Sequence, residues 1–113
     1  MDIEFKNSRL KTLINDEKKL KKEYSAKAAE KMKRIMEILI SVNNMDDYFK
    51  IGVGKPEVLR HERNNQISIE YDGDKKRMII EPSKDLDCYH DDGGLDLMKI
   101  TSVKIVDLGG YHK

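Results

Sequence analysis

Arg60, His61 and Arg63 stand close together in Leu59-Arg60-His61-Glu62-Arg63-Asn64-Asn65, just ahead of an alternating Gln66-Ile67-Ser68-Ile69 stretch. Arg77 opens a second alternating stretch, and Tyr111-His112-Lys113 follows a third. Basic side chains before one strand, on the next and after a last one can converge on one face of a small sheet. Arginine keeps its charge and meets two phosphate oxygens with its planar fork. Histidine titrates near neutrality, with an unperturbed pKa of roughly 6.5. This set suits an anionic ligand whose chemistry needs proton transfers, as cleavage of an RNA backbone does.

The elements that must hold these residues follow from periodicity. Asp2 to Lys6 alternates, with Ile3 and Phe5 on one side, and reads as a short strand. Asn7-Ser8 supplies an N-cap. Leu10, Leu13 and Ile14 form a helical stripe that Leu20 and Tyr24 extend, with a possible break at Asn15-Asp16. Ala28, Met32, Ile35, Leu39 and Val42 follow at steps of four and three, one face of a helix from Ser25 to about Val42. Two adjacent helices with facing stripes predict a helical hairpin. Asn43-Asn44 ends it, Met45 to Phe49 reads as a turn or helical turn, and Gly52 to Pro56 as a loop.

Gln66 to Tyr71 and Lys76 to Glu81 alternate around Asp72-Gly73-Asp74, a tight-hairpin signal. Ile67, Ile69, Met78 and Ile80 are expected in the core. Pro82 ends the return strand, and Ile100 to Val106 makes a last one before Gly109-Gly110. The expected fold class is α+β: an N-terminal strand, a two-helix hairpin, then a three-stranded antiparallel meander completing a small sheet. The helices would cover one face and leave the other free to bind. We expect a single domain over residues 1–113, with an acidic insert at about 82–98.

Charge is uneven along the 113 residues. Residues 82–98 hold five aspartates against Lys84, a net −4, so the remainder of the +1 chain carries +5. A basic body fits a polyanion partner, and an insert folded over the sheet would repel one. No apolar run reaches membrane-spanning length. Met1-Asp2-Ile3-Glu4 has neither the basic flank nor the apolar core of a secretion signal. Cys88 is the sole cysteine, which rules out an internal disulfide and fits a reducing cytoplasm.

Blander readings stand beside these. The cations between Arg9 and Arg34 read as a solvated helix face. Arg60, His61 and Arg63 could be ordinary turn charges, and His112 frayed tail. Cys88-Tyr89-His90-Asp91-Asp92 offers ligand types for a metal, but no second cluster exists to close a site. Neither a metal nor another cofactor is expected.

Taken in order, several segments resemble the HigB-like branch of the RelE/ParE toxin superfamily of bacterial toxin–antitoxin operons. Lys6-Asn7-Ser8-Arg9-Leu10 is similar to its opening strand and first helix, Ala28 to Val42 to its second, and Met45-Asp46-Asp47-Tyr48-Phe49 to the segment after it. Pro56-Glu57-Val58-Leu59-Arg60-His61-Glu62-Arg63-Asn64-Asn65-Gln66-Ile67-Ser68-Ile69 carries the sharpest likeness. Arg77 ahead of Met78-Ile79-Ile80, and Val103-Lys104-Ile105-Val106-Asp107 with Tyr111-His112 after it, look like the following strands.

The resemblance implies a ribosome-dependent, metal-independent mRNA endonuclease, in which the RNA 2′-hydroxyl attacks the adjacent phosphate. Arg60, Arg63 and Arg77 would grip phosphates and stabilise the transition state. His112 would be the acid or base, and Tyr111 would stack on a base or donate a hydrogen bond. Arg63, Arg77 and His112 form the expected catalytic set. Arg60, Arg63, His61, Tyr111 and Lys113 form the RNA-binding set. The implied partners are mRNA on the ribosome and a helix-turn-helix, HigA-like antitoxin, joined as a heterotetramer. A ParE-like inhibitor of DNA gyrase, or a degenerate antitoxin- or RNA-binding module, are the other readings of the same fold.

Overall fold

Asn7, Asp16, Ser25 and Asn44 each accept a hydrogen bond from the backbone N–H three residues on, and so start four helices. The computed structural model describes residues 1–59, 65–72, 76–83, 87–91 and 93–109. The helices are α1 (Ser8–Ile14), α2 (Glu17–Glu23), α3 (Ala26–Ser41) and α4 (Met45–Ile51). Five strands accompany them: β1 (Asp2–Phe5), β2 (Glu57–Val58), β3 (Ile67–Glu70), β4 (Arg77–Pro82) and β5 (Ser102–Asp107). They form one sheet in the order β1-β5-β4-β3-β2.

The α+β class and the antiparallel β3-β4-β5 meander match expectation. Three details differ. The two-helix hairpin is interrupted, because Asn15 caps the end of α1 and Asp16 caps the start of α2. Met45 to Ile51 is a full helix rather than a turn, since Asn44 caps it and Met45 and Tyr48 are buried. β2 was not expected: two residues are too few to show alternation, and only pairing with β3 makes them a strand. β1 lies parallel to β5, so the sheet is mixed.

Helices and sheet share one core. Leu10, Leu13 and Leu20 meet the α3 stripe of Ala28, Met32, Ile35 and Leu39, and the expected Ile67, Ile69, Met78 and Ile80 lie beneath. Tyr71 joins them and meets Tyr24 edge to face, ring centroids 5.7 Å apart. The second sheet face is not left bare: Ser68 and Ile79 are fully buried there and Arg77 nearly so.

The described residues of the acidic insert pack on the body of the protein. Cys88 is buried in the core, and Tyr89 pairs with Leu95. Asp96 holds His90 at 3.7 Å and caps a short 3₁₀ turn, Leu97–Lys99. That turn packs against α4, where the Met45 N–H donates to the Ile100 carbonyl at 3.0 Å.

Helix α4 aims the loop that follows. The Tyr48 hydroxyl donates to the Val53 carbonyl at 2.8 Å, and burial pushes that phenol's pKa well up. Replacing Asn44 with alanine removes the acceptor for the Asp47 N–H. The expected loss is about 1 kcal/mol, seen as a thermal midpoint lower by roughly 5 °C when melting is followed by circular dichroism.

Candidate functional site

Glu57, Ser68 and Arg77 come from three adjacent strands and share the sheet face opposite the core. Register dictates this: Glu57 pairs with Ser68, Glu70 with Arg77, and their neighbours Val58, Ile67, Ile69 and Met78 face inward. Arg77 Nε donates to Ser68 Oγ at 2.9 Å. Its Nη2 donates to the Lys55 carbonyl at 3.1 Å and lies 3.5 Å from Glu57 Oε1. The guanidinium is therefore oriented by a hydroxyl, a carbonyl and a carboxylate. Arg77 keeps only 6% of its surface exposed, whereas the Glu57 side chain is 60% exposed. The result is a fixed cation beside a solvent-reachable carboxylate.

Local backbone shape makes the cluster possible. Gly52 ends α4 in the left-handed region, and Gly54 repeats that conformation with φ +78°. The Gly54 carbonyl accepts from the Glu70 N–H at 2.7 Å, which pins the loop on β3. Lys55, with φ +47°, is in the left-handed region too, and its carbonyl meets Arg77. Non-glycine residues in that region are uncommon and often sit at functional places.

Of the residues expected at the site, Arg77 lies among the described ones. Arg60, His61, Arg63, Tyr111, His112 and Lys113 lie outside them. Their described flanks are informative. Leu59 and Asn65 flank residues 60–64 at the Pro82 end of β4, because the Leu59 N–H donates to the Gln66 carbonyl and Ile67 pairs with Ile80. Leu108 and Gly109, which precede residues 110–113, lie at the other end, where the Tyr71 hydroxyl donates to the Leu108 carbonyl. Arg77 and Glu70 share that end.

The described part of this face is not basic. Asp2, Glu4, Glu57, Glu70 and Glu81 lie on it with Lys6, Arg77 and Lys104, and Lys104 is 3.7 Å from Glu81. A depression of about 660 Å³ lies elsewhere: Lys27, Lys31 and Arg34 of α3 line it together with Tyr71. These cations form no ion pair among the described residues and fit a solvated face. Among the described residues no His, Cys, Asp and Glu side chains gather as metal ligands, and no helix is long and apolar enough to cross a membrane.

Compared with solved structures, the chain superposes on a YoeB/ParE toxin from Agrobacterium tumefaciens, with a TM-score of 0.59 over 99% of this chain and 100% of that one. The fold is that of the YoeB/ParE toxins. Sequence identity to that protein is 12%. A YoeB–YefM complex from Staphylococcus aureus gives a TM-score of 0.55 at 16% identity, covering 100% of this chain and 98% of that one. A YoeB dimer from the same organism gives 0.52 at 16%, with the same coverage. No family model matches the sequence, and no curated protein matches it. The likeness is one of fold, to YoeB and ParE toxins, and none of these neighbours is a HigB. On this YoeB-type fold, Glu57 is the residue that sequence reading passed over. It stood inside the Pro56-Glu57-Val58 motif, but only the pairing of β2 with β3 brings its carboxylate to Arg77.

Proposed function

We propose that this chain is the toxin of a type II toxin–antitoxin pair and cleaves mRNA on the ribosome. The observation that carries the reading is the Glu57–Arg77 pair on the sheet face opposite the core of a YoeB/ParE-type fold. Cleavage by an internal 2′-hydroxyl needs a base for that hydroxyl, a fixed positive charge for the phosphorane and an acid for the leaving 5′-oxygen. Glu57 is the exposed carboxylate beside the fixed arginine and takes the 2′-proton. Arg77 stabilises the charge that develops on the phosphate. His112 protonates the 5′-oxygen, with Tyr111 stacking on a base. Arg63 joins the catalytic set, and Arg60, His61 and Lys113 hold the RNA backbone. The 2′-oxygen bonds to phosphorus as the bond to the 5′-oxygen breaks, leaving a 2′,3′-cyclic phosphate and a free 5′-hydroxyl. None of these steps requires a metal.

The partner is an antitoxin. Two of the S. aureus neighbours are YoeB–YefM complexes, one of them a heterotetramer, which supports such a pairing here. A helix-turn-helix, HigA-like antitoxin is the form that the HigB likeness implies. The site of action is the cytoplasm, where translated mRNA is found.

The test is induced expression in a bacterium with mRNA 5′ ends mapped within minutes. Glu57→Gln is the control, because the Glu57 side chain is mostly exposed and the substitution is expected to leave the fold intact. New ends inside translated frames, reduced about 100-fold or more in the control, are the expected outcome. Growth arrest with intact mRNA and altered DNA supercoiling would replace this reading with that of a gyrase inhibitor. No arrest at all would leave a degenerate member.

A further inference from the structure

Two depressions lie on the sheet face opposite the core and share Glu81 and Lys104. One, of about 350 Å³, is also lined by Lys6, Gln66 and Asp107. The other, of about 340 Å³, is also lined by Asn65 and by Tyr89 of the acidic insert. Glu81 lies four residues along β4 from Arg77, or about 13 Å. That is more than one nucleotide from the Glu57–Arg77 pair, on the same face. An extended RNA strand whose phosphate sits at Arg77 would reach this groove with a flanking nucleotide.

Chemistry selects which part of that nucleotide enters. Lys6 and Lys104 are balanced by Glu81 and Asp107, and Asp87 and Asp91 of the insert lie exposed. A neutral groove beside exposed aspartates disfavours a phosphate and accepts an uncharged base. Tyr89 is 38% exposed and is the aromatic side chain lining this groove among the described residues. An open phenol ring is a stacking platform for any base. The Asn65 amide offers a donor and an acceptor to a base edge. The Glu81 carboxylate accepts from an exocyclic amine, which adenine and cytosine carry and uracil lacks.

We propose that Tyr89, Asn65 and Glu81 form a nucleobase subsite, built by the acidic insert, that selects an amine-bearing base flanking the cleaved phosphate. This rests on the RNA-cleaving reading above and adds a specificity role for an insert that would otherwise only oppose RNA. Tyr89 stacks on the base, Asn65 and Glu81 read its edge, and Lys104 holds Glu81 in place at 3.7 Å.

The chain contains no tryptophan, so Tyr89→Trp places a single indole in the groove. Its emission is followed during titration with short single-stranded oligo(A), oligo(C) and oligo(U). Saturable quenching by oligo(A) and oligo(C), several-fold weaker with oligo(U), is expected. Tyr89→Ala is expected to weaken oligo(A) binding about tenfold in fluorescence anisotropy, and Tyr89→Phe to retain it. Melting midpoints measured alongside should agree within a few degrees.

RNA that binds without quenching the indole, or equal quenching by an acidic peptide, overturns the subsite. Where free RNA does not bind even the unsubstituted protein, mapped cut sites decide. A base preference beside the cut that disappears in Tyr89→Ala supports the subsite, and one that persists overturns it. Failure of the cleavage reading is distinct, because it appears as absent cleavage in the unsubstituted protein, whatever the indole reports.

Discussion

Replacing Arg77 with alanine is expected to remove cleavage and lower stability together, whereas Arg77→Lys should separate the two. Arg77 is buried and bonded to Ser68 Oγ and the Lys55 carbonyl. Alanine leaves that hydroxyl and carbonyl without their donor inside the protein, at about 2 kcal/mol, a fall of roughly 10 °C in midpoint. The abandoned Glu57 adds little, because its side chain is mostly solvated. Lysine refills most of the stem volume and can donate to one of the two acceptors, so its stability loss should be about half as large. It cannot present a planar fork to a phosphate. Cleavage in Arg77→Lys should therefore fall about 100-fold while the protein still melts cooperatively. Thermal melts of both variants, set beside mapped mRNA ends, decide the matter. Full cleavage by Arg77→Lys would make Arg77 a structural tie alone.

Arg77 also shows where sequence reading reached its limit. Alternation placed Met78 and Ile80 in the core, and both are fully buried. The same alternation set Arg77 against Met78 and Ile80 but left its face open, and could not say that this end of the sheet is covered. Burial there depends on the loop at residues 52–56, which reaches β3 through one backbone hydrogen bond. Backbone pairings of that kind leave no periodic trace. Glu57 escaped for the same reason, since a two-residue strand carries no pattern. The helix breaks are legible in part: Asn15-Asp16 holds two caps back to back, whereas Asn44, an ending signal in the sequence, also starts α4. The insert misled through its charge. Counting aspartates showed an acidic segment but hid Cys88, whose burial anchors the segment to the core, and Tyr89, whose ring it delivers to the sheet face.

The loop that completes the site hangs on Gly54, and Gly54→Ala is expected to be the most damaging small substitution in the described structure. A Cβ built there meets Ile69 Cγ2 at 2.5 Å and the Glu70 carbonyl oxygen at 2.7 Å. It would also place a side chain at φ +78°, worth about 1 kcal/mol by itself. Overpacking against a filled core adds about 2 kcal/mol. The combined loss of about 3 kcal/mol corresponds to a midpoint lower by roughly 15 °C. Trimming Ile69 to alanine should not restore it, because the Glu70 oxygen is backbone and cannot step aside without breaking its strand. Gly93 supplies the contrast: its φ is +93°, yet nothing lies within 4 Å of a Cβ there. Gly93→Ala should carry only the conformational part, about 1 kcal/mol. Any Gly54→Ala protein that remains folded has had to lift the loop from β3. The lift carries the Lys55 carbonyl and Glu57 away from Arg77, so cleavage should fall further than the folded fraction does. Cleavage that instead tracks the folded fraction across a temperature series would mean that the loop supports the fold and not the chemistry.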